Sequence, residues 1–103
     1  MILLRGTALM HNLEIKPTVD KIFKKLAKKN KKQLIMINKK IQEIRAKPNH
    51  EYKHLRPSLQ NFSRVHINSN FVLIFDINHT EEIVTIYYFG HHDDSYKWRP
   101  TVK

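Results

Sequence analysis

At 103 residues the chain is long enough for one small domain with a single core and too short for two independent cores. Its 19 lysines and arginines against 9 acidic residues give a formal net charge of +10, which favours a polyanion or an acidic protein as its partner. The chain has no cysteine, which excludes disulfides and thiol nucleophiles, and no apolar run reaches the roughly 18 to 20 residues of a membrane span, so we expect a cytoplasmic protein.

The N-terminal residues carry no periodic pattern, and a coherent strand pattern begins only after Met10. We therefore expect residues 1–9 to be an extension that precedes the domain, with Met10 as a second candidate start. The domain itself is expected over residues 10–99, followed by a short tail at 100–103.

A strand and two helices are predicted next. Residues 11–17 alternate polar and apolar side chains and end at Pro17, which lacks the N–H that a strand ladder needs. Thr18 is a favourable N-cap, and apolar residues at helical spacing after it predict a first helix over about 18–29. The lysine-rich run 28–32 interrupts this apolar pattern, which resumes after it and stops before Pro48. The sequence therefore predicts a second helix and, with the first, a helical hairpin.

The rest of the chain is expected to form three further strands after a loop at 49–63. These strands are Arg64–Asn68, Phe71–Ile77 and Glu82–Phe89, joined by turns at 68–70 and 78–81. The order β-α-α-β-β-β predicts an α+β domain in which the helical hairpin packs on one face of a small, mostly antiparallel sheet. The other face of the sheet is expected to be free for a ligand.

Arg64 and His66 are candidates for chemistry on that free face. They are two residues apart in a strand, so their side chains point the same way while Val65 and Ile67 point to the core. An imidazole can take up a proton near neutral pH, and a guanidinium can hold a phosphate. The alternative is that both are ordinary polar residues on a solvated surface.

Two more histidines, His91 and His92, follow Gly90 at the end of the last strand. Adjacent strand residues point to opposite faces, so only one of the two is expected to join His66. A zinc or nickel site built from both histidines with Asp93 and Asp94 is an alternative, although consecutive residues rarely converge on one ion.

Two aromatic residues lie near the C-terminal end of the sequence. Tyr96 lies four residues after His92 and is a candidate to stack on a base or contact a phosphate. Trp98 has the same potential, but packing on the core is the favoured interpretation for it. With only Gly6 and Gly90 in the chain, glycine-rich nucleotide-binding loops are excluded and no cofactor is expected.

With these motifs in place, residues 10–99 resemble toxins of the RelE/ParE superfamily from type II toxin-antitoxin pairs. The resemblance rests on the helical hairpin, the loop motif Lys53-His54-Leu55, Arg64-Val-His66-Ile, the apolar strand 71–75, and Gly90-His-His-Asp-Asp-Ser-Tyr96. It implies the RelE-like microbial RNase toxin fold. The RelE branch cuts messenger RNA on the ribosome without a metal, by directing the 2′-hydroxyl onto the neighbouring phosphate.

The resemblance also implies roles for individual residues. Arg64 and His66 match basic positions on the second strand of the family, His92 matches the basic residue after the last strand, and Tyr96 matches a C-terminal tyrosine. The aromatic-Arg pair that opens the third strand in RelE is absent, because Val72 follows Phe71. The site instead resembles the YafQ-like branch, which is rich in histidines, through His54, His66, Asn70, Phe71, His92 and Tyr96. Asn70 stands where that branch has an aspartate, and Tyr96 stands where it has a phenylalanine.

The hypothesis that follows is a metal-independent endoribonuclease. His66 or His54 would be the base, His92 the acid, and Arg64 the group that stabilises the phosphorane, with Tyr96 beside them. The remaining candidates are expected to bind RNA: Lys53, Arg56, Asn70, Phe71, His91 and Lys97.

The expected partners follow from the same resemblance. They are messenger RNA on the ribosome and an acidic, partly disordered antitoxin, with operator DNA reached only through the antitoxin complex. Two rival functions remain open: a ParE-like inhibitor of DNA gyrase, which needs no acid-base cluster, and a non-catalytic RNA-binding module.

Overall fold

The computed structural model describes residues 10–54 and 61–100. The predicted extension at 1–9, the loop residue Arg56 and residues 101–103 lie outside these ranges. The elements are β1 (Asn12–Ile15), α1 (Pro17–Lys29), α2 (Lys31–Ala46), β2 (Lys53–His54), β3 (Ser63–Ile67), β4 (Phe71–Asn78), β5 (Ile83–His91) and a 3₁₀ helix (His92–Lys97). No helix in these ranges is both long and apolar enough to cross a membrane.

The two helices form the predicted hairpin, with one correction at the start. The N-cap of α1 is Lys16 rather than Thr18, and Pro17 occupies the first turn, where its missing N–H has no intrahelical partner to lose. Asn30 separates the helices: its N–H bonds to the carbonyl of Leu26, and its side-chain oxygen accepts from the N–H of Gln33. Asn30 therefore ends α1 and caps α2.

The sheet confirms the predicted α+β class and contains one strand more than expected. Its order is β1-β5-β4-β3-β2, and only the β1–β5 pair is parallel. The extra strand is β2, which lies in the segment predicted to be a loop and pairs antiparallel with β3. Two residues are too few to show an alternating pattern, so periodicity could not predict this strand.

The last strand also has different bounds from those predicted. Glu82 has a φ of 59°, so the left-handed backbone there delays the start of β5 to Ile83. At its other end β5 continues through Gly90 to His91, because the ladder with β4 extends to the pair Phe71–His91. His91 is thus held by the sheet rather than by a free loop.

The helical hairpin covers one face of the sheet, and the main core lies between the two layers. Alternate residues of β3, β4 and β5 enter it, together with the apolar stripes of both helices. The buried members of this cluster are Val19, Phe23, Ile37, Ile41, Ile44, Ile67, Leu73, Phe75, Val84, Ile86 and Phe89.

The opposite face is not fully free, which corrects the prediction that it would be open to a ligand. Val72 and Ile74 are 0% exposed even though strand alternation places them away from the helices. Rings of Phe62, Tyr87 and Trp98 contact one another on this side, with centroids 5.0 to 6.1 Å apart. Together with Tyr88, whose ring lies 6.5 Å from that of Trp98, they form a second hydrophobic layer, here called the aromatic cluster.

A bulge in β5 places two consecutive tyrosines in that cluster. Ile74 pairs with Tyr88 and Phe75 pairs with Ile86, so Tyr87 is the extra residue on β5. The bulge lets Tyr87 and Tyr88 both contact Trp98, which neighbouring residues of a regular strand would not do. The aromatic cluster thereby covers part of the face and leaves the end near His66 uncovered.

Candidate active site

Antiparallel pairing gathers three basic residues on the face away from the helices. Arg64 and His66 lie on the same side of β3, as the alternation predicts. Lys53 is directly opposite Arg64 across the β2–β3 ladder, and residues in such pairs have side chains on the same face. The structure therefore brings Lys53 together with Arg64 and His66.

His92 completes this group from the end of β5. Its N–H donates a 2.7 Å hydrogen bond to the carbonyl of Asn70, which fixes the start of the 3₁₀ helix against the β3–β4 turn. The imidazole of His92 then stacks on that of His66, with centroids 5.4 Å apart and planes inclined by 23°. We refer to His66 and His92 as the imidazole pair.

Tyr96 lies on the far side of the pair. Its ring packs edge-on against His92 at a centroid distance of 5.7 Å, and it is 64% exposed. The 3₁₀ helix makes this contact possible because its three residues per turn bring Tyr96, four residues after His92, back to within little more than one turn of it. The rings of His66, His92 and Tyr96 therefore form a continuous row with an exposed edge.

The electrostatics of the row favour a neutral His66. Partial desolvation lowers the pKa of His66 below its ordinary value, and positive charge on His92, Arg64 and Lys53 lowers it further. A proton on His92 therefore disfavours a second proton on His66. A base and an acid that act together require one ring without a proton, and the lowered pKa of His66 suits it to be that ring.

Asp93 follows the two consecutive histidines, and its carboxylate is close to both. Its carboxylate is 3.6 Å from Nδ1 of His92 and 3.7 Å from Nδ1 of His91, and its side chain is largely exposed. Nδ1 of His91 also accepts a hydrogen bond from the N–H of Asp93, so His91 acts as the N-cap of the 3₁₀ helix. An exposed ion pair of this kind adds little stability.

His91 itself points away from the imidazole pair, in agreement with the prediction that only one of the two histidines joins His66. Its ring packs edge-on against Phe71 at 5.6 Å, and Phe71 stacks on the buried Phe89 at 5.4 Å. Phe71 and His91 were predicted to bind RNA, and the structure instead places them on the helix-facing side of the sheet. Phe71 is part of the packing there.

His54 is likewise not brought to the site. It is paired with Ser63, whose side chain is buried on the helix-facing side, so His54 projects to that side as well. Lys53 and His54 were predicted as one motif, and the strand separates them onto opposite faces. The position of Arg56, predicted to bind RNA, lies outside the described residues.

The other predicted residues lie at the edges of the site. Asn70 contributes its carbonyl to His92, while Lys97 is exposed in the last turn of the 3₁₀ helix. Trp98 packs in the aromatic cluster, as the favoured interpretation held. In the described ranges, no three His, Cys, Asp or Glu side chains are grouped so that they could hold a metal ion.

A close contact between Tyr88 and Gly90 was not predicted from the sequence. A Cβ atom on Gly90 would collide with the Tyr88 hydroxyl and lie 2.7 Å from Cζ of the same ring, so the tyrosine lies flat across the glycine. Gly90 pairs with Val72, which pairs with His66, so all three stand in one row across the sheet. A glycine two residues after an aromatic in a strand is the signal for such a close approach.

Comparison with known families and proteins gives matches over most of the chain. A family model described as "RelE-like toxin of type II toxin-antitoxin system HigB" matches residues 7–92. A protein of Methanocaldococcus jannaschii, named as the toxin candidate RelE4, is 45% identical over 94 residues, which cover 91% of this chain and 99% of that protein.

Solved structures show the same fold. The toxin-antitoxin complex RelBE2 from Mycobacterium tuberculosis matches with a TM-score of 0.65 at 17% identity, covering 81% of this chain and 99% of that chain. A mutant of the E. coli toxin RelE in the free state matches with a TM-score of 0.66 at 18% identity, covering 84% of this chain and 88% of that chain. At these identities the likeness concerns the arrangement of helices and strands.

Proposed function

The chain belongs to the HigB-like family of RelE-like toxins from type II toxin-antitoxin systems, and from this premise we propose that it is a metal-independent, ribosome-dependent endoribonuclease that cuts messenger RNA. The observation that carries the proposal is the imidazole pair: two histidine rings 5.4 Å apart, one of them with a lowered pKa. Inhibition of translation follows from loss of the message.

The proposed reaction is an internal transesterification. His66 takes the proton of the 2′-hydroxyl, and the oxygen forms a bond to the neighbouring phosphorus. The bond between phosphorus and the 5′-oxygen breaks, and His92 donates its proton to that leaving oxygen. The products are a 2′,3′-cyclic phosphate and a 5′-hydroxyl end, so that no water, metal or oxidant is consumed. A phosphodiester that lies along the exposed edges of both rings would be within reach of each.

Neighbouring residues supply the remaining electrostatics. The guanidinium of Arg64 lies on the same face as His66 and can stabilise the charge that develops on the phosphorane oxygens. Lys53 adds a second positive charge next to Arg64. Tyr96 packs against His92 and leaves most of its ring exposed, which suits a base that stacks beside the scissile bond.

An acidic antitoxin is the proposed protein partner. The M. tuberculosis structure that shares this fold is a toxin-antitoxin complex. A net charge of +10 on 103 residues favours a partner of opposite charge, whose negative potential would also exclude RNA from the basic face.

The test is primer extension on a defined messenger RNA in a translation reaction, with and without ribosomes. The toxin is either untreated or stripped with EDTA and dialysed before it is added, because EDTA in the reaction would remove the Mg²⁺ that ribosomes need. We expect cuts that need the ribosome and are equal for both toxin samples. Cuts that are lost with the stripped toxin and return when zinc is added back would contradict the metal-independent mechanism. Intact RNA throughout would favour gyrase inhibition or simple RNA binding, and a supercoiling assay with purified gyrase separates these two.

The lowered pKa of His66 predicts the pH dependence of cleavage. A base must be deprotonated to act, so the rate rises with pH through the pKa of His66, and a lowered pKa moves that rise to below the ordinary histidine value of about 6.5. Lys53→Gln removes one of the positive charges that lower this pKa. The acidic limb of the pH-rate profile should therefore move to higher pH.

Lys97→Gln is the matched control for this measurement. It removes the same charge from the 3₁₀ helix, and Lys97 is not among the groups that lower the pKa of His66. Its acidic limb should coincide with that of the wild type. Equal positions of the limb in the wild type and in Lys53→Gln would show that His66 is not the group that limits the rate at low pH.

A further inference from the structure

A groove runs along the edge of the sheet between α2 and β3. It consists of two adjoining cavities of about 290 and 220 Å³, which share Lys40 and Glu43 as lining residues. The first cavity also contacts His66, and the second contacts Val65, so the groove follows β3. Within the described residues, β2 pairs only with Ser63 and Arg64, so the next three residues of β3 have no neighbouring strand on that side. We call this feature the α2–β3 groove.

Its charge is predominantly positive. Lys39 and Lys40 line the cavity that contacts His66, and Lys47 lines the other one. The acidic residue of the lining is Glu43, which forms a 3.2 Å ion pair with Lys40. Lys40 and Lys47 are about 10 Å apart along α2, given a rise of about 1.5 Å per residue, so the lysines follow a path rather than surround a single point.

The groove also offers side chains for bases. His50 lines the second cavity, is exposed, and packs edge-on against Tyr52 at 4.8 Å. Tyr52 is held in turn by Phe75, 5.2 Å away, and by a 2.9 Å hydrogen bond to the carbonyl of Lys47. At the other end, Met36 is 41% exposed beside Lys39. A positive path with flanking flat or apolar side chains is the usual arrangement for single-stranded nucleic acid.

We propose that the α2–β3 groove binds the single-stranded RNA that continues past the scissile bond, with Lys39, Lys40 and Lys47 on its phosphates and His50 against a base. The inference rests on the proposed nuclease function, since it takes the imidazole pair as the point where the strand is cut. It adds a binding surface on α2, whose residues did not figure among the candidates from the sequence.

The choice of RNA over an acidic protein follows from the lining. A protein segment is normally held by apolar anchors, and Met36 is the main exposed apolar side chain in the part of the groove near His66. The more apolar cavity lies elsewhere, between β1 and the helices, where Leu13, Phe23, Leu34 and Ile35 line it. Charge without apolar anchors favours a polyanion whose bases can stack.

The test is binding of a fluorescent 2′-O-methyl RNA of about 12 nucleotides, which cannot be cleaved, measured by anisotropy over a range of salt concentrations. The variant is Lys39→Gln with Lys40→Gln in the full chain. We expect its Kd to rise at least about tenfold at low salt and the slope of log K against log salt to fall by about 1.4, which is about 0.7 for each lost phosphate contact on a single strand.

The matched control is Lys24→Gln with Lys28→Gln on α1. This pair also contains one lysine in an ion pair, Lys24 with Asp20 at 3.2 Å, and it removes the same charge from residues that do not line the groove. We expect its Kd to change by less than about threefold, since only the general electrostatic attraction is reduced. Equal weakening by both variants would show that only net charge matters. If the groove variant binds RNA as tightly as the wild type, the groove does not hold RNA and is left to a protein partner. Either result overturns the inference.

Failure of the nuclease proposal gives a different result. Because the RNA is uncleavable, binding is scored whether or not the protein is an enzyme. A wild type that binds through the groove yet never cuts messenger RNA would leave the binding surface standing and remove the catalytic role of the imidazole pair. If the wild type cuts messenger RNA but the groove variant binds RNA as tightly as the wild type, the nuclease proposal stands and the groove is not the binding surface.

Discussion

Replacing His92 or His66 with alanine is expected to slow RNA cleavage by about 10²- to 10⁴-fold in each case. His92→Ala removes the proton donor for the 5′-oxygen, and His66→Ala removes the base for the 2′-hydroxyl. The rings contact each other and act on one phosphodiester, so the double variant should lose much less than the product of the two single losses. Single-turnover cleavage on programmed ribosomes measures both effects.

The best control is the neighbouring histidine. His91→Ala removes the same type of side chain one residue away, but that ring packs against Phe71 on the opposite face. The substitution also removes the Nδ1 that caps the 3₁₀ helix, but that bond is exposed, so the cleavage rate should stay within a few-fold of the wild-type rate at a temperature where both proteins are folded. His54→Ala should behave like His91→Ala, because its pairing with Ser63 turns it away from His66.

Two outcomes would contradict the assignment. A full cleavage rate in His92→Ala would show that His92 is not the acid. A large loss of rate in His54→Ala, together with a full rate in His66→Ala, would show that His54 on β2 is the base. Loss in His91→Ala alone would indicate that RNA is held on the helix-facing side or that the cap which His91 provides to the 3₁₀ helix is needed to position His92. The pH-rate profile adds a further check, since a variant without the base should lose the acidic limb that His66 produces.

Strand alternation was enough to predict part of this site. Side chains of a strand alternate between the two faces of the sheet, so Arg64 and His66 were predicted to lie on one face. By the same rule, only one of the two consecutive histidines could join them. The structure agrees on both points, because these side chains lie on a regular ladder with β4. Local periodicity predicts a side chain's direction when the strand is long enough to show its pattern.

The remaining features depend on contacts between distant segments. The direction of His54 is set by a two-residue strand whose register comes from β3, and no local pattern encodes that. The α2–β3 groove arises from the way α2 lies beside β3, although Met36, Lys39, Lys40 and Glu43 share a helix face in sequence. The partly covered face of the sheet depends on a tryptophan that returns from beyond the last strand.

That tryptophan leads to the second large effect, in Trp98→Ala. The ring contacts Phe62 at 5.1 Å, Tyr87 at 6.1 Å and Tyr88 at 6.5 Å, above a sheet face that buries Val72 and Ile74 completely. Aromatic pairs contribute about 0.5 to 1.5 kcal/mol each beyond the area they bury, so loss of three contacts should lower the free energy of unfolding by about 2 to 4 kcal/mol. This is a large fraction of the roughly 5 to 15 kcal/mol of a typical domain.

The same substitution should also reduce cleavage by the molecules that remain folded. Trp98 ends the segment that carries His92 and Tyr96, and its N–H bonds to the carbonyl of Ser95, so its packing holds the 3₁₀ helix against β5. Without that packing, the helix is held mainly by the bond from His92 to Asn70 and by contacts of the imidazole pair. Misplacement of His92 by about 1 Å is enough to cost about 10²-fold in rate.

Tyr96→Phe and Trp98→Phe separate the structural effect from the catalytic one. Tyr96 is mostly exposed, so Tyr96→Phe should leave the free energy of unfolding, measured in urea, within about 0.5 kcal/mol of the wild-type value. Trp98→Phe keeps a ring in the aromatic cluster and should recover part of both stability and rate. If Trp98→Ala unfolds at the wild-type urea concentration, the aromatic cluster does not stabilise the fold; if it is destabilised but keeps the full rate when folded, the 3₁₀ helix positions His92 without help from Trp98.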